Sequence, residues 1–258
     1  MRFPHSILIT GASSGIGAAL ARDYARPGTT LALGGRDGAR TESIAAECRA
    51  RGADVSIFIA DVADAATMRR HVDQAERARP LDLVIANAGI SEISGPGGET
   101  EEQARRIFAV NVDGVMNTVF PAIDAMRAHA PQNGERGQIA IMSSLAGFHG
   151  YPGAPAYAAS KNAVRAWGES LRGELYGEGI YVSVICPGFV ATPMTDGATF
   201  PQPFKIGAER AAEIIARGLA RGRSRIAFPW PTYFAAWLGI ALPEWMVDPM
   251  IRRMPNKR

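Results

Sequence analysis

The stretch Ser6-Ile7-Leu8-Ile9-Thr10-Gly11-Ala12-Ser13-Ser14-Gly15-Ile16-Gly17 joins an apolar run to a glycine-rich turn and then to a helical pattern. Gly11 permits a tight turn, and Gly15 and Gly17 let a backbone approach a pyrophosphate at the start of a helix. There the free N–H groups and the helix dipole favour negative charge. The spacing is G-x-x-x-G-x-G rather than the commoner G-x-G-x-x-G. Three glycines alone mean only a turn; their position directly after the first strand of an alternating chain is what points to phosphate.

Working outward, short β-branched or apolar runs at 6–10, 30–33, 55–60, 83–86, 138–142, 181–185 and 225–228 alternate with helical patterns. The helical stretches are 16–26, 40–51, 65–79, 101–127, 157–176 and 208–221. Runs this short and this free of charge predict strands buried on both faces. Because crossovers between parallel strands are right-handed, the expected fold is α/β, a Rossmann-type doubly wound parallel sheet of about seven strands with helices on both faces. With no internal repeat and no low-complexity linker, residues 1–258 read as one dinucleotide-binding and catalytic domain. Within it, 188–206, carrying Gly188, Pro193, Gly197, Pro201 and Pro203, reads as a long substrate loop, and 229–258 as an apolar C-terminal extension.

Composition narrows the classes. A net charge of +3, 47% hydrophobic and 21% charged residues describe a soluble globular protein, and the body of the chain has no basic block to suggest nucleic acid. The only basic cluster is Arg252, Arg253, Lys257 and Arg258, at the chain end. Cys48 and Cys186 lie far apart and read as buried apolar residues, while His5, His71, His129 and His149 form no ligand cluster, so neither a disulfide framework nor a metal is expected. The apolar run before Gly11 does not have the form of a targeting segment, and the expected location is cytoplasmic.

The end of the second strand bears on the cofactor. It reads Leu31-Ala32-Leu33-Gly34-Gly35-Arg36-Asp37. An acidic residue here binds ribose hydroxyls of NAD, whereas an arginine accommodates the 2′-phosphate of NADP. Arg36 comes first, so NADP(H) is favoured over NAD(H); the competing reading makes Arg36 and Asp37 a solvated loop pair. Asp61-Val62, after the third strand, is placed for the adenine edge.

Ser143-Ser144 follows the fifth strand, and Tyr157-Ala158-Ala159-Ser160-Lys161 opens a helix. The Y-x-x-x-K spacing sets Tyr157 and Lys161 on one helix face, one turn apart. A phenol near pKa 10 is too weak an acid for neutral pH. A neighbouring ammonium favours the phenolate and brings it toward the working range. Lysine can also hold a nicotinamide ribose, and a serine hydroxyl can polarise a substrate oxygen.

The combination resembles the short-chain dehydrogenase/reductase family, in its shorter single-domain branch. The matching motifs run from Thr10 to Thr192: the glycine turn, Asn87-Ala88-Gly89 after strand four, Asn111 within Asn-Val-Asp-Gly, Ser144, Tyr157-x-x-x-Lys161 and Pro187-Gly188-x-x-x-Thr192. The resemblance implies that Tyr157 is the acid or base on the substrate oxygen and that Ser144, at the family's usual distance before Tyr157, polarises that oxygen. It implies that Lys161 binds the ribose and lowers the Tyr157 pKa, and that Asn111 supports a proton path from Lys161. Gly11, Ser13, Ser14, Gly15, Ile16, Gly17, Arg36, Asp61, Val62, Asn87, Ala88, Gly89, Pro187, Gly188, Val190 and Thr192 would join Tyr157 and Lys161 around the dinucleotide. The hydride chemistry belongs to the cofactor.

Two departures stand out. The family's Asn-Asn-Ala-Gly reads Ala86-Asn87-Ala88-Gly89, and the Asp-Gly-Gly ending of acyl-carrier-protein ketoreductases is absent. The segment that begins Arg225-Ile-Ala-Phe-Pro-Trp-Pro is closer to the branch that handles steroids, retinoids and other bulky hydrophobic carbonyls, so a hydrophobic small-molecule carbonyl or alcohol is the implied substrate. The helices at 101–127 and 157–176 resemble the pair that forms four-helix interfaces in the family, which implies a homodimer or homotetramer. The alternative to an enzyme is a non-catalytic dinucleotide-binding scaffold or sensor; intact Ser144, Tyr157, Lys161 and Asn111 argue against it. Epimerases and dehydratases on related folds carry larger substrate domains, for which this chain has little room.

The stretch 232–242, bounded by Pro231 and Pro243 and flanked by Trp230 and Trp245, is too short to span a bilayer. Its three uses, in descending order of weight, are packing on its own domain or a sister subunit, a lid that encloses an apolar substrate, and contact with a membrane surface.

Overall fold

The computed structural model describes residues 3–92, 98–150, 152–196, 200–243, 245–247 and 249. Seven of its strands form one parallel sheet: β1 (Ser6–Thr10), β2 (Thr30–Gly35), β3 (Asp54–Ile59), β4 (Leu83–Ala86), β5 (Gly137–Met142), β6 (Ile180–Pro187) and, last in the chain, β9 (Arg225–Phe228). Their order across the sheet is β3-β2-β1-β4-β5-β6-β9. The order reverses between β1 and β4, and the crevice at the carboxyl ends of those strands is where such sheets bind ligands.

Alternation along β1 shows how the core is divided. Ile7 and Ile9 point to a layer formed with α1 (Gly15–Tyr24), α2 (Gly38–Ala50) and α7 (Ala208–Ala220), through Leu20, Ile44 and Ile215. Leu8, between them, points to the opposite layer of α3 (Ala65–Ala78), α5 (Gly114–Ala128) and α6 (Pro155–Leu175), through Val72, Val119 and Val164. β1 is buried along its whole length, as a central parallel strand requires. β3 is not: as an edge strand it buries Val55 and Phe58 and exposes Asp54, Ser56 and Ile59, correcting the expectation that every strand is covered on both faces.

One further expectation changes, and two segments gain definition. The helix predicted at 101–127 is α4 (Glu101–Phe108) and α5 joined by a π-helical turn, Ala109–Asp113, that carries Asn111. A helical period cannot reveal a single inserted residue, and such π turns collect at functional sites. The 188–206 segment is ordered at both ends: β7 (Val190–Ala191) pairs in parallel with β8 (Ile206–Gly207). The apolar stretch after β9 is a helix, α8 (Trp230–Ala241). The parts of the loop and the C-terminal extension at 197–199 and 250–258, including the basic cluster, lie outside the described residues.

Candidate active site

The turn after β1 is built by hydrogen bonds between neighbouring strand ends. The Thr10 hydroxyl accepts from the backbone N–H groups of Asn87 (3.0 Å) and Ala88 (3.1 Å), and the Asn87 amide donates to the carbonyls of Thr10 (2.9 Å) and Gly11 (3.2 Å). Gly11 and Gly15 have φ of 67° and 56°, conformations that favour glycine. A Cβ on Gly15 would sit 3.0 Å from Thr192, so the loop after β6 closes over the turn. Ser14 caps α1 through its backbone only, while Asp37, Asp64 and Thr100 place side chains on the first N–H groups of α2, α3 and α4. The start of α1 therefore keeps its donors for something in the crevice.

Gly17 has a different task from the one expected. It is buried outside the cavity lining, and a Cβ there would lie 2.1 Å from the Gly11 carbonyl oxygen and 2.6 Å from the Asn87 amide. Its lack of a side chain serves helix–turn packing, not close approach to phosphate.

A cavity of about 760 Å³ runs from this turn to the α6 end of the sheet. Gly11, Ser13, Ser14, Gly15, Ile16, Arg36, Asp61, Val62, Asn87, Ala88, Gly89, Ser144, Tyr157, Lys161, Pro187, Gly188, Val190 and Thr192 all line it. Of the predicted site residues only Gly17 and Asn111 do not. Sequence reasoning missed Arg40, Ile90, Met142, Met194 and Thr195. Arg40 had a readable signal: Asp37 is the N-cap of α2, which puts Arg40 in its first turn, beside Arg36.

Asp37 is already engaged. Its carboxylate accepts from the Arg40 backbone (3.0 Å) and side chain (2.6 Å), and Arg40 holds it below the usual carboxylate range. Arg36 is exposed and makes no hydrogen bond or ion pair among the described residues. Asp37 thus pairs with Arg40 and leaves Arg36 without an acidic partner among the described residues.

At the other end, the two serines separate. The Ser143 hydroxyl donates to the Lys161 carbonyl (2.7 Å) and so anchors α6. The Ser144 hydroxyl lies against the Pro187 carbonyl (3.4 Å), accepts from Ala146 N (3.1 Å) and is hydrogen-bonded to Tyr157. Lys161 is buried, with Nζ donating to the Met142 carbonyl (2.9 Å) and lying 5.9 Å from the Tyr157 ring centre. A Cβ on Gly89 would be 3.1 Å from both Lys161 Nζ and Asn111 Oδ1, so this glycine leaves the space that those groups share.

Burial governs both titrating groups. It raises the Tyr157 phenol, opposed by the Ser144 hydrogen bond, and lowers the Lys161 amine to about 8. Burial is the leading influence on Tyr157 in this structure, and it keeps the phenol protonated at neutral pH.

Asn111 stands behind the cavity wall, fully buried. Its Oδ1 accepts from Ile90 N (2.8 Å), and its Nδ2 donates to the Ile90 carbonyl (2.9 Å) and to Ser160 Oγ (3.1 Å). Ser160 in turn donates to the Tyr157 carbonyl (2.8 Å). The π turn thus ties the loop after β4 to the first turn of α6. No residue of α8 lines the cavity, although a Cβ on Gly188, which does line it, would lie 3.1 Å from Pro229 and 3.3 Å from Thr232.

A glycine cradle, an unsatisfied helix start and an unpaired arginine fit a nicotinamide dinucleotide along this cavity. The model for short chain dehydrogenase matches residues 5–201. An uncharacterised oxidoreductase of Myxococcus xanthus is 36% identical over 248 residues, 96% of each chain. The 1-deoxy-11-beta-hydroxypentalenate dehydrogenase of Streptomyces exfoliatus is 36% identical over 229 residues, 84% of this chain and 80% of its own. Among solved structures, a short-chain dehydrogenase/reductase of Burkholderia phymatum in complex with NAD aligns at a TM-score of 0.82 with 26% identity, over 100% of this chain and 99% of the other. A short chain dehydrogenase of Burkholderia cenocepacia in complex with NADP aligns at 0.75 with 29% identity, over 86% and 95%. From the strand order outward to these likenesses, the chain belongs to the short-chain dehydrogenase/reductase family, NAD(P)-dependent oxidoreductases of CH–OH donors.

Proposed function

We propose that this chain interconverts a carbonyl and a secondary alcohol on a hydrophobic small-molecule substrate, with NADP(H) favoured over NAD(H) and Tyr157 as the acid or base. The observation that carries the reading is that Ser144, Tyr157 and Lys161 share one cavity with the glycine turn and Arg36.

When bound, the nicotinamide supplies or accepts the hydride. The chain's residues handle the proton and the geometry. In reduction, the protonated Tyr157 donates to the carbonyl oxygen as charge develops there, and Ser144, on the same oxygen, stabilises that charge. In oxidation Tyr157 takes the hydroxyl proton back. Lys161 sits where it can hold the ribose and the Tyr157 helix face together; Asn111 acts one step removed, by fixing Ser160 and the loop after β4. Ile90, Val110, Met142, Val190 and Met194 give the cavity apolar walls, which supports a hydrophobic substrate. Arg36 supports the 2′-phosphate reading, with Arg40 as a second cation beside it.

The chain is proposed to work as a single domain and a homo-oligomer. The half-exposed Phe120 packs on Trp167 across α5 and α6, with ring centres 5.5 Å apart, on the face that the family resemblance assigns to the four-helix contact. Titration with NADPH and NADH separately, followed by nicotinamide fluorescence, tests the cofactor. NADPH is expected to bind more tightly, and Arg36→Ala to weaken it by about ten-fold, one charge-assisted contact, with little change for NADH. Tighter NADH binding, unaffected by Arg36→Ala, would reverse the cofactor assignment.

A further inference from the structure

The row of α6 that bears the candidate site does not end with Lys161. Tyr157, Lys161, Arg165 and Glu169 follow one another at four-residue steps, so each lies one turn beyond the last. The first two line the cavity; Arg165 and Glu169 do not, and no step of the proposed reaction uses them. Both are nevertheless partly buried and committed to particular partners.

Glu169 joins two arginines. Its carboxylate accepts from Arg165 Nη1 (3.4 and 3.2 Å) and from Arg225, on β9, through Nε (3.1 Å) and Nη2 (2.5 Å). Each guanidinium also lies against the Phe148 ring, 4.7 Å from its centre for Arg165 and 5.5 Å for Arg225. Two cations beside one ring repel each other, and the carboxylate they share offsets that repulsion. Tyr233 of α8 completes the cluster: its hydroxyl lies 3.3 Å from Arg225 Nη1, and its ring meets Phe148 edge-on at 5.7 Å. An ion pair on a surface is ordinarily worth little, but this one is built around a buried ring.

Phe148 connects the cluster to the chemistry. It ends the short turn Leu145–Gly147, which Ser144 begins. The Ala146 N–H donates to the Ser144 hydroxyl (3.1 Å), and the Gly147 N–H donates to the Ser144 carbonyl (3.0 Å). Arg165 Nε donates to the Gly147 carbonyl (3.2 Å). On the α6 side, a Cβ on Gly147 would lie 2.7 Å from the Lys161 carbonyl carbon, so the turn is pressed on the helix without slack. Arg165 thus grips the backbone of the turn, and both arginines grip the ring that closes it.

We infer that Arg165, Glu169 and Arg225 are positioning residues for Ser144: by clamping Phe148 and the turn, they fix the serine hydroxyl where it meets the substrate oxygen. The inference rests on the reading that Ser144 polarises that oxygen. None of the three lines the cavity, so losing the clamp is expected to lower the rate and to leave nucleotide affinity alone.

Two variants open the clamp from outside the cavity. Glu169→Leu releases both arginines at once, and Phe148→Leu removes the ring they grip; either suffices if the other does not fold. The rate constant kcat is measured for a ketone that the wild type reduces, and NADPH affinity separately, in each variant alone and combined with Ser144→Ala. Hydrogen exchange at the Ala146 N–H reads the same turn with no substrate present. Each single variant is expected to lose about ten-fold in kcat with NADPH affinity kept, and to exchange about ten-fold faster at Ala146. Added to Ser144→Ala, either should cost little more, because the group being positioned is already gone. Equal losses in the two backgrounds would overturn the inference by marking a general effect on the fold. Unchanged exchange, or unchanged kcat beside a Ser144→Ala that is impaired, would sink the inference alone. Full turnover by Ser144→Ala would instead remove the reading of Ser144, and the inference with it.

Discussion

Lys161 is the residue whose surroundings make the sharpest demands. An amine in the unfolded chain titrates near 10.4, and burial brings it to about 8 in the folded protein. Between those values the unfolded state binds more protons, so this residue's contribution to stability improves as pH rises; below 8 the full cost of a buried charge is present. That cost is on the order of 3 kcal/mol from the size of the shift. Lys161→Met is therefore expected to gain on the wild type at neutral pH and to lose that advantage between about pH 8 and 10, as read by thermal melts. A constant difference across that range would contradict the buried amine. Tyr157 predicts a second pH effect. Burial favours the neutral phenol, so carbonyl reduction should hold through neutral pH, while alcohol oxidation, which needs a base, should climb into the alkaline range. Initial rates in both directions across pH measure it, and an oxidation rate already level in acid would contradict it.

At the scale of elements, the turn after β1 and the π turn before α5 are the two places where backbone and side chain cannot be separated. Gly17→Ala must displace the Gly11 carbonyl, a backbone atom with no freedom to move. The expected result is a melting temperature lower by many degrees and loss of nucleotide binding; a stable variant that binds normally would refute the packing role. Asn111→Leu keeps the volume but strands both Ile90 backbone groups, at about 1–3 kcal/mol for each buried group left unpaired. Its rate should fall more than its affinity for nucleotide, since Asn111 does not line the cavity. The glycine turn was legible because a turn's position after a strand is a sequence fact, and all seven sheet strands were placed because each is a short apolar run nearly free of charge. The π turn was not, because one extra residue leaves the apolar period of 101–127 intact. Nor was the changed task of Gly17: spacing records that a glycine is present, while the clash that requires it comes from Gly11 and Asn87 folding beneath it. Arg40 was overlooked because its place depends on where α2 begins, which the Asp37 cap settles.

For the molecule as a whole, one cavity collects residues drawn from β1 through the segment after β6, and the sheet's reversal point is what gathers them. That gathering was readable from the order of motifs; the direction in which α8 faces was not, because an uncharged stretch looks the same whether it lines a pocket or a surface. Outside the cavity, Phe120→Glu should convert the proposed oligomer to a monomer in sedimentation; an unchanged assembly would move the contact elsewhere. The account rests most heavily on Tyr157 as proton donor. The direct test is NADPH oxidation against a panel of lipophilic ketones and aldehydes by wild type and Tyr157→Phe, with NADPH binding measured in both. The account predicts turnover by the wild type and a fall of about 10²–10⁴-fold in Tyr157→Phe, with NADPH affinity kept. Undiminished turnover in Tyr157→Phe, or firm NADPH binding by a wild type that reduces nothing in the panel, would contradict it.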